Sequence, residues 1–114
     1  MAGSVFVFGA SGHAKVVIDI FERMKGTKVV FVIDDADDKQ GRTLCGYPVI
    51  GGRDALLANR RRVKAGIVAI GDNGGRARVA AWLAEHGVRA ARLRDGDHAG
   101  AGRGAGDALH RRLL

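Results

Sequence analysis

Gly9, Ser11, Gly12 and His13 fall in the stretch Phe8-Gly-Ala-Ser-Gly-His-Ala-Lys15, between an apolar run and an amphipathic one. A tight glycine turn that opens a helix aims the N–H groups of the helix start, and the positive end of its dipole, at one point. An anion, most often a phosphate, binds in such a place, and glycines keep side chains out of its way. Asp34-Asp35 stand about 20 positions further on, where a nucleotide-binding βαβ unit holds ribose hydroxyls. Gly51-Gly52 and Gly71-Asp72-Asn73 are two further glycine-rich or polar turns. The pattern Gly9-x-x-Gly12-x-Ala14 is close to the dinucleotide fingerprint without matching it, so the motif taken alone also fits a structural turn. His13 equally suits a polar position at a helix start, Asn73 a helix N-cap, and Arg76 a surface or ion-pair role.

Hydrophobic patterning supplies the elements that position these residues. Val5 to Phe8 has the β-branched and aromatic composition of a buried strand. Val16, Val17, Ile20, Phe21 and Met24 then mark one stripe of a helix, with Asp19, Glu22 and Arg23 on its wet side. Gly26 is placed at that helix's C-cap. Val29 to Ile33 is a continuous apolar run, as in a strand covered on both faces. Asp34 to Arg42 contains Asp34, Asp35, Asp37 and Asp38 with Lys39 and Arg42 beside them. It reads as a solvated loop rather than a metal site. Pro48 restricts Tyr47 to Ile50 to an edge strand or extended segment. A short helix over Arg53 to Asn59 turns Leu56 and Leu57 inward, and a strand covers Ala65 to Ile70. A helix from about Gly75 to His86 uses Val79, Ala80 and Leu83, with Trp82 flanking. A last strand runs from Val88 to about Leu93. The order predicts an α/β, Rossmann-like domain over residues 1–93, with a mainly parallel sheet and helices on both faces. Ligands of such sheets sit beyond the carboxyl ends of the strands, where all four loops named above collect.

Composition narrows the function classes. The chain has 114 residues, 46% hydrophobic and 27% charged, which suits one soluble domain. No apolar run approaches the roughly 18 residues of a membrane span. No basic stretch followed by an apolar core marks a secretory leader, so the expected compartment is the cytoplasm. Cys45 is the single cysteine; it reads as a small buried or half-buried hydrophobe, with a reactive thiol as the other reading. The net charge of +7 raises nucleic acid as a partner. The charge is spread, however, and Arg60-Arg61-Arg62 with Lys64 is the one dense cluster. With one Trp, one Tyr and four Phe, the chain has no aromatic interleaving to stack bases. No nucleic-acid or membrane partner is expected.

Phe8-Gly-Ala-Ser-Gly-His-Ala-Lys-Val-Val-Ile-Asp19, Val32-Ile-Asp-Asp35, Gly46-Tyr-Pro-Val-Ile-Gly-Gly52 and Val68-Ala-Ile-Gly-Asp-Asn73 with Arg76 resemble the N-terminal domain of bacterial sugar acetyltransferases. That family includes sialic acid O-acetyltransferases and UDP-4-amino-sugar N-acetyltransferases of glycan biosynthesis. The resemblance covers residue 4 to about residue 90. It implies a Rossmann-like domain that holds the nucleotide-sugar acceptor, a UDP-sugar or a relative of it. Ser11, Gly12 and His13 would lie at the diphosphate or sugar, with Gly9 a further substrate-binding position, and Asp34 and Asp35 at the nucleoside. Gly51, Gly71 and Asn73 would line the same cleft, with Lys15 and Arg76 as cations near the phosphates.

In the family a C-terminal left-handed β-helix of hexapeptide repeats binds acetyl-CoA, carries the catalytic histidine and forms the trimer. Residues 94–114 are a Gly/Ala/Arg-rich tail without that six-residue period. The tail reads as a flexible terminus or as an out-of-frame product of a GC-rich gene. The expectation is therefore a binding module, truncated and silent in acetyl transfer by itself. It would carry no catalytic residue, no metal and no cofactor of its own, and be monomeric or weakly associated. The alternative is an NAD(P)- or CoA-binding Rossmann domain, either a small oxidoreductase or a regulatory sensor. Short-chain oxidoreductases pair a tyrosine with a lysine four residues later; here Tyr47 is followed at that place by Gly51.

Overall fold

In a computed structural model that describes residues 3–92, the chain runs β1 (Gly3–Phe8), α1 (Gly12–Arg23), β2 (Thr27–Ile33), β3 (Thr43–Leu44), β4 (Tyr47–Gly51), α2 (Arg53–Asn59), a 3-10 turn (Arg60–Arg62), β5 (Ala65–Val68), α3 (Asn73–Glu85) and β6 (Ala90–Arg92). The strands form one sheet in the order β3-β4-β2-β1-β5-β6. Every pairing is parallel except that of β3 with β4. Because α1 packs on one face and α2 and α3 on the other, the central strands are covered on both sides. That is the expected α/β, Rossmann-like arrangement. The tail, residues 94–114, lies outside the described residues.

Period-two alternation builds the two half-cores. Val5 and Val7 of β1 face α1, while Phe6 and Phe8 face α2 and α3. On β2 the alternation slips once. Val5 registers with Val29 and Phe6 with Phe31, so Val30 is an extra residue and Phe31 is carried onto the Phe6 face. The two rings lie 6.4 Å apart and nearly parallel.

The stripe α1 buries differs from the one read in the sequence. Ala14, Val17, Ile18 and Phe21 are buried, whereas Val16 is 36% exposed and Ile20 and Met24 only pack at the margin. Both stripes have helical spacing; the sheet selects the one that includes the small Ala14, which lets α1 approach β1 closely. Burial of Val17, Ile18 and Phe21 contributes about 5–9 kcal/mol before chain entropy is subtracted. The helix ends with Met24 as C-cap, and Gly26 takes its positive φ of 81° in the turn beyond.

Other boundaries are corrected in the same way. β4 is not an edge, because β3 pairs outside it; Pro48 is tolerated since the registered ladder with β2 begins at Val49. Cys45 is exposed rather than buried. With φ of 53°, and Gly46 at 85°, it forms the two-residue turn between β3 and β4, the conformation that suits a tight hairpin. Leu56 is fully buried but Leu57 only half so, and Ala80 is likewise half-buried. β5 stops at Val68, with Ala69 and Ile70 already in the turn. The Arg60–Arg62 turn is exposed but employed: Arg60 donates to the Gly87 carbonyl at 3.1 Å and the Arg62 guanidinium sits 5.2 Å from the Phe31 ring centre.

Candidate functional site

β1 delivers the chain to the glycine turn at its carboxyl end. Gly9 takes φ of 119°, and a Cβ there would lie 2.6 Å from the Ala69 carbonyl oxygen. Its N–H donates to the Ile33 carbonyl at 2.6 Å. The Ala10 N–H donates to Asp34 Oδ2 at 2.8 Å. Ser11 is the N-cap of α1 in extended conformation, yet its hydroxyl makes no capping bond, and the first turn holds no acidic residue. The helix thus supplies neither a side-chain cap nor a first-turn carboxylate of its own, and the carboxylate beside its start is that of Asp34, held on Ala10. Gly12 is exposed, with nothing within 4 Å of where a Cβ would stand. His13 is half-buried, with its Nε2 away from solvent.

Beside this turn lies a cleft of about 280 Å³. Ala10, Ser11, Gly12 and Lys15 form one wall; Lys39, Arg42, Thr43, Leu44 and Val49 form the other. Among the described residues, three cations line it and no carboxylate does. The second wall exists because β4 lies next to β2 and carries the 34–42 loop over α1. Gln40 Nε2 donates to the Asp34 carbonyl at 2.9 Å, the Gly41 N–H to the Val49 carbonyl at 2.8 Å, and the Val49 N–H to the Arg42 carbonyl at 2.8 Å. Positive charge from two walls, with an open helix start between them, favours an anionic group.

Of the residues picked from the sequence, Ser11, Gly12 and Lys15 line this cleft. Gly9 stands behind it as a backbone position. Asp34 is half-buried with both oxygens accepting backbone N–H groups, those of Ala10 and Ala36, each at 2.8 Å. Asp35 turns toward α2, where it accepts from Arg53 Nε at 2.9 Å; the Arg53 guanidinium in turn lies 5.0 Å from the Trp82 ring centre. Gly51 is buried, and its carbonyl accepts the Asp34 N–H at 3.0 Å.

Gly71, Asn73 and Arg76 follow β5 and do not line the cleft. Asp72, not Asn73, caps α3, accepting the Gly75 N–H at 2.6 Å. Arg76 is not a surface residue: at 6% exposure it shares the packing face of α3 with Val79 and Leu83. The cleft residues that sequence reasoning missed are Ala10, Lys39, Arg42, Thr43, Leu44 and Val49. For Lys39 and Arg42 the one visible signal was basic charge inside an acidic loop. Away from the cleft, Tyr47 donates to Glu22 Oε2 at 2.9 Å. Burial, and then that bond to a carboxylate, push its phenol above the ordinary value.

The model of the PglD N-terminal domain matches residues 4–83. Among solved structures, a mutant of the perosamine N-acetyltransferase of Caulobacter crescentus, in complex with CoA and GDP-perosamine, is 34% identical with a TM-score of 0.67. The match covers 78% of this chain and 41% of that one. The acetyltransferase domain of PglB from Neisseria gonorrhoeae is 29% identical with a TM-score of 0.59, over 75% of this chain and 41% of that one. The UDP-D-quinovosamine 4-dehydrogenase of Vibrio fischeri has a TM-score of 0.68 at 16% identity, over 90% of this chain and 87% of that one, a likeness of fold alone. No curated protein matches the chain. The chain spans less than half the length of either acetyltransferase structure.

Proposed function

The chain belongs to the PglD N-terminal domain family, and on that premise we propose that its cleft holds the diphosphate of a nucleotide-sugar, the acceptor of a sugar acetyltransferase. The observation that carries this reading is the convergence of the open α1 start with Lys15, Lys39 and Arg42 on one cleft. A diphosphate brings two anionic centres joined by a bridging oxygen. Cations on facing walls can neutralise both, while first-turn N–H groups donate to the nearer one. Ser11 adds a hydroxyl beside them. Asp35 lies on the α2 side of the same loop, and its carboxylate, drawn from Arg53, would meet nucleoside donors. His13 lies at the helix start beside the sugar end.

Acetyl transfer needs the thioester and the acceptor held together, with a base to take the acceptor's proton. The 3–92 domain supplies the acceptor half of that requirement. In this reading acetyl-CoA is bound elsewhere in the full-length enzymes and the domain by itself is monomeric or weakly associated. Both a uridine and a guanosine diphosphate fit the proposal, since the cleft reads phosphates.

Calorimetric titration of the purified chain with UDP, GDP, their amino-sugar conjugates and NAD tests the proposal. A nucleoside diphosphate or its sugar conjugate is expected to bind and NAD is not. Binding of NAD with no response to UDP or GDP would favour the dinucleotide alternative instead. Incubation with acetyl-CoA and a nucleotide amino-sugar, followed by a free-thiol assay, is expected to give no turnover above the buffer blank.

A further inference from the structure

Among the described residues, Asp34 makes four hydrogen bonds that tie three loops together. Its N–H donates to the Gly51 carbonyl at 3.0 Å, and its carbonyl accepts Gln40 Nε2 at 2.9 Å. Its Oδ1 accepts the Ala36 N–H at 2.8 Å and its Oδ2 the Ala10 N–H at 2.8 Å, across 24 residues of chain. The last bond has a direct consequence for any ligand. Ala10 belongs to the glycine turn, and its N–H is one of the donors that such a turn offers to a phosphate. Here an internal carboxylate has taken it. A phosphate oxygen in that place would both lose the donor and face a like charge, so the anion is displaced toward the side where Lys15, Lys39 and Arg42 stand. The same residue's carbonyl holds Gln40, between Lys39 and the Gly41–Arg42 link to β4. One residue therefore sets both walls of the cleft.

We infer that Asp34 is the positioning residue of the anion cleft: it holds the glycine turn and the cationic loop in register and does not itself touch the nucleoside. This rests on the nucleotide-sugar reading, and it departs from the ribose contact that the spacing of Asp34 suggests. A ribose ligand and a positioning residue differ in one measurable respect. Pyrophosphate has the charged part of the substrate and no ribose. Removal of a ribose contact weakens UDP and leaves pyrophosphate unchanged; loss of the cleft's geometry weakens both by the same factor.

The experiment compares Asp34→Ala with the unaltered chain by titration with UDP and with pyrophosphate, alongside amide hydrogen exchange followed by NMR. The expected result is a loss of about tenfold or more for both probes, in line with the loss of bonds to a charged group, with faster exchange at the Ala10 amide. A loss for UDP alone would make Asp34 a nucleoside ligand and overturn the inference. So would unchanged affinity for both, unchanged exchange at Ala10, or UDP binding by the unaltered chain without pyrophosphate binding. If the unaltered chain binds neither UDP nor GDP, the nucleotide-sugar reading fails and the inference falls with it. Should Asp34→Ala not fold, Asp34→Asn carries the same comparison, since its carboxamide can accept one of the two N–H groups but not both.

Discussion

The two glycines of the first turn are expected to separate under the same substitution. At Gly9, alanine must adopt φ of 119° and place its Cβ 2.6 Å from the Ala69 carbonyl oxygen. Backbone strain of that kind costs of order 1–3 kcal/mol, and steric overlap in a packed interior typically 1–3 kcal/mol more. About 3 kcal/mol is a conservative total, and at roughly 4–8 °C per kcal/mol for a domain of this size the melting temperature falls by about 12–24 °C. At Gly12 nothing lies within 4 Å of the new Cβ, and the position is the first of α1. Alanine there gains up to about 1 kcal/mol of helix propensity, so the melting temperature holds or rises by a few degrees. Gly12→Val keeps the fold and fills the mouth of the cleft. Loss of a charge-assisted bond to phosphate, at about 1.5–3 kcal/mol, corresponds to roughly a 10- to 150-fold weaker complex. Circular dichroism during heating measures the first effect, and calorimetry with UDP and GDP the second. A Gly9→Ala chain that melts with the unaltered protein would refute the steric argument. A folded Gly12→Val chain with unchanged affinity would put the phosphate somewhere other than the helix start.

Lys39→Ala and Arg42→Ala are each expected to weaken nucleoside diphosphate binding by about three- to tenfold at low salt, and by less in 0.5 M NaCl, where the Debye length shrinks to a few ångströms; an equal loss at both salt concentrations in calorimetry would show that their charge is not what binds. Tyr47 gives a pH signature: burial first, and its bond to Glu22 second, raise its phenol above about 10. The neutral phenol is the form the fold favours, so its stabilisation is complete below the unfolded value near pH 10 and lost as pH rises through the folded one. Urea midpoints between pH 8 and pH 11 should therefore fall more steeply for the unaltered chain than for Tyr47→Phe, and parallel curves would contradict the assignment.

The sequence by itself determined the class of fold and the end of the sheet where ligands belong. Continuous apolar runs at Val5–Phe8 and Val29–Ile33, with a glycine turn and a 3.6-period stretch between them, permit little besides a βαβ unit. Local chemistry sufficed because the information is local: strand composition, helix spacing and turn residues act within a few positions of one another.

Which positions of those elements do the work was decided by tertiary packing. α1 carries two stripes of acceptable spacing, and only contact with the sheet chooses Ala14, Val17, Ile18 and Phe21 over Val16 and Ile20. Arg76 reads as a surface or ion-pair residue, yet it falls on the face of α3 that packs. Asp34 has the spacing of a ribose ligand, but the approach of the glycine turn across 24 residues commits its carboxylate to Ala10. Lys39 and Arg42 sit in an acidic loop with no motif around them. They become cleft residues because β4 pairs beside β2 and lays that loop against the start of α1. Strand order is a property of the whole sheet, and no window of sequence around Lys39 contains it.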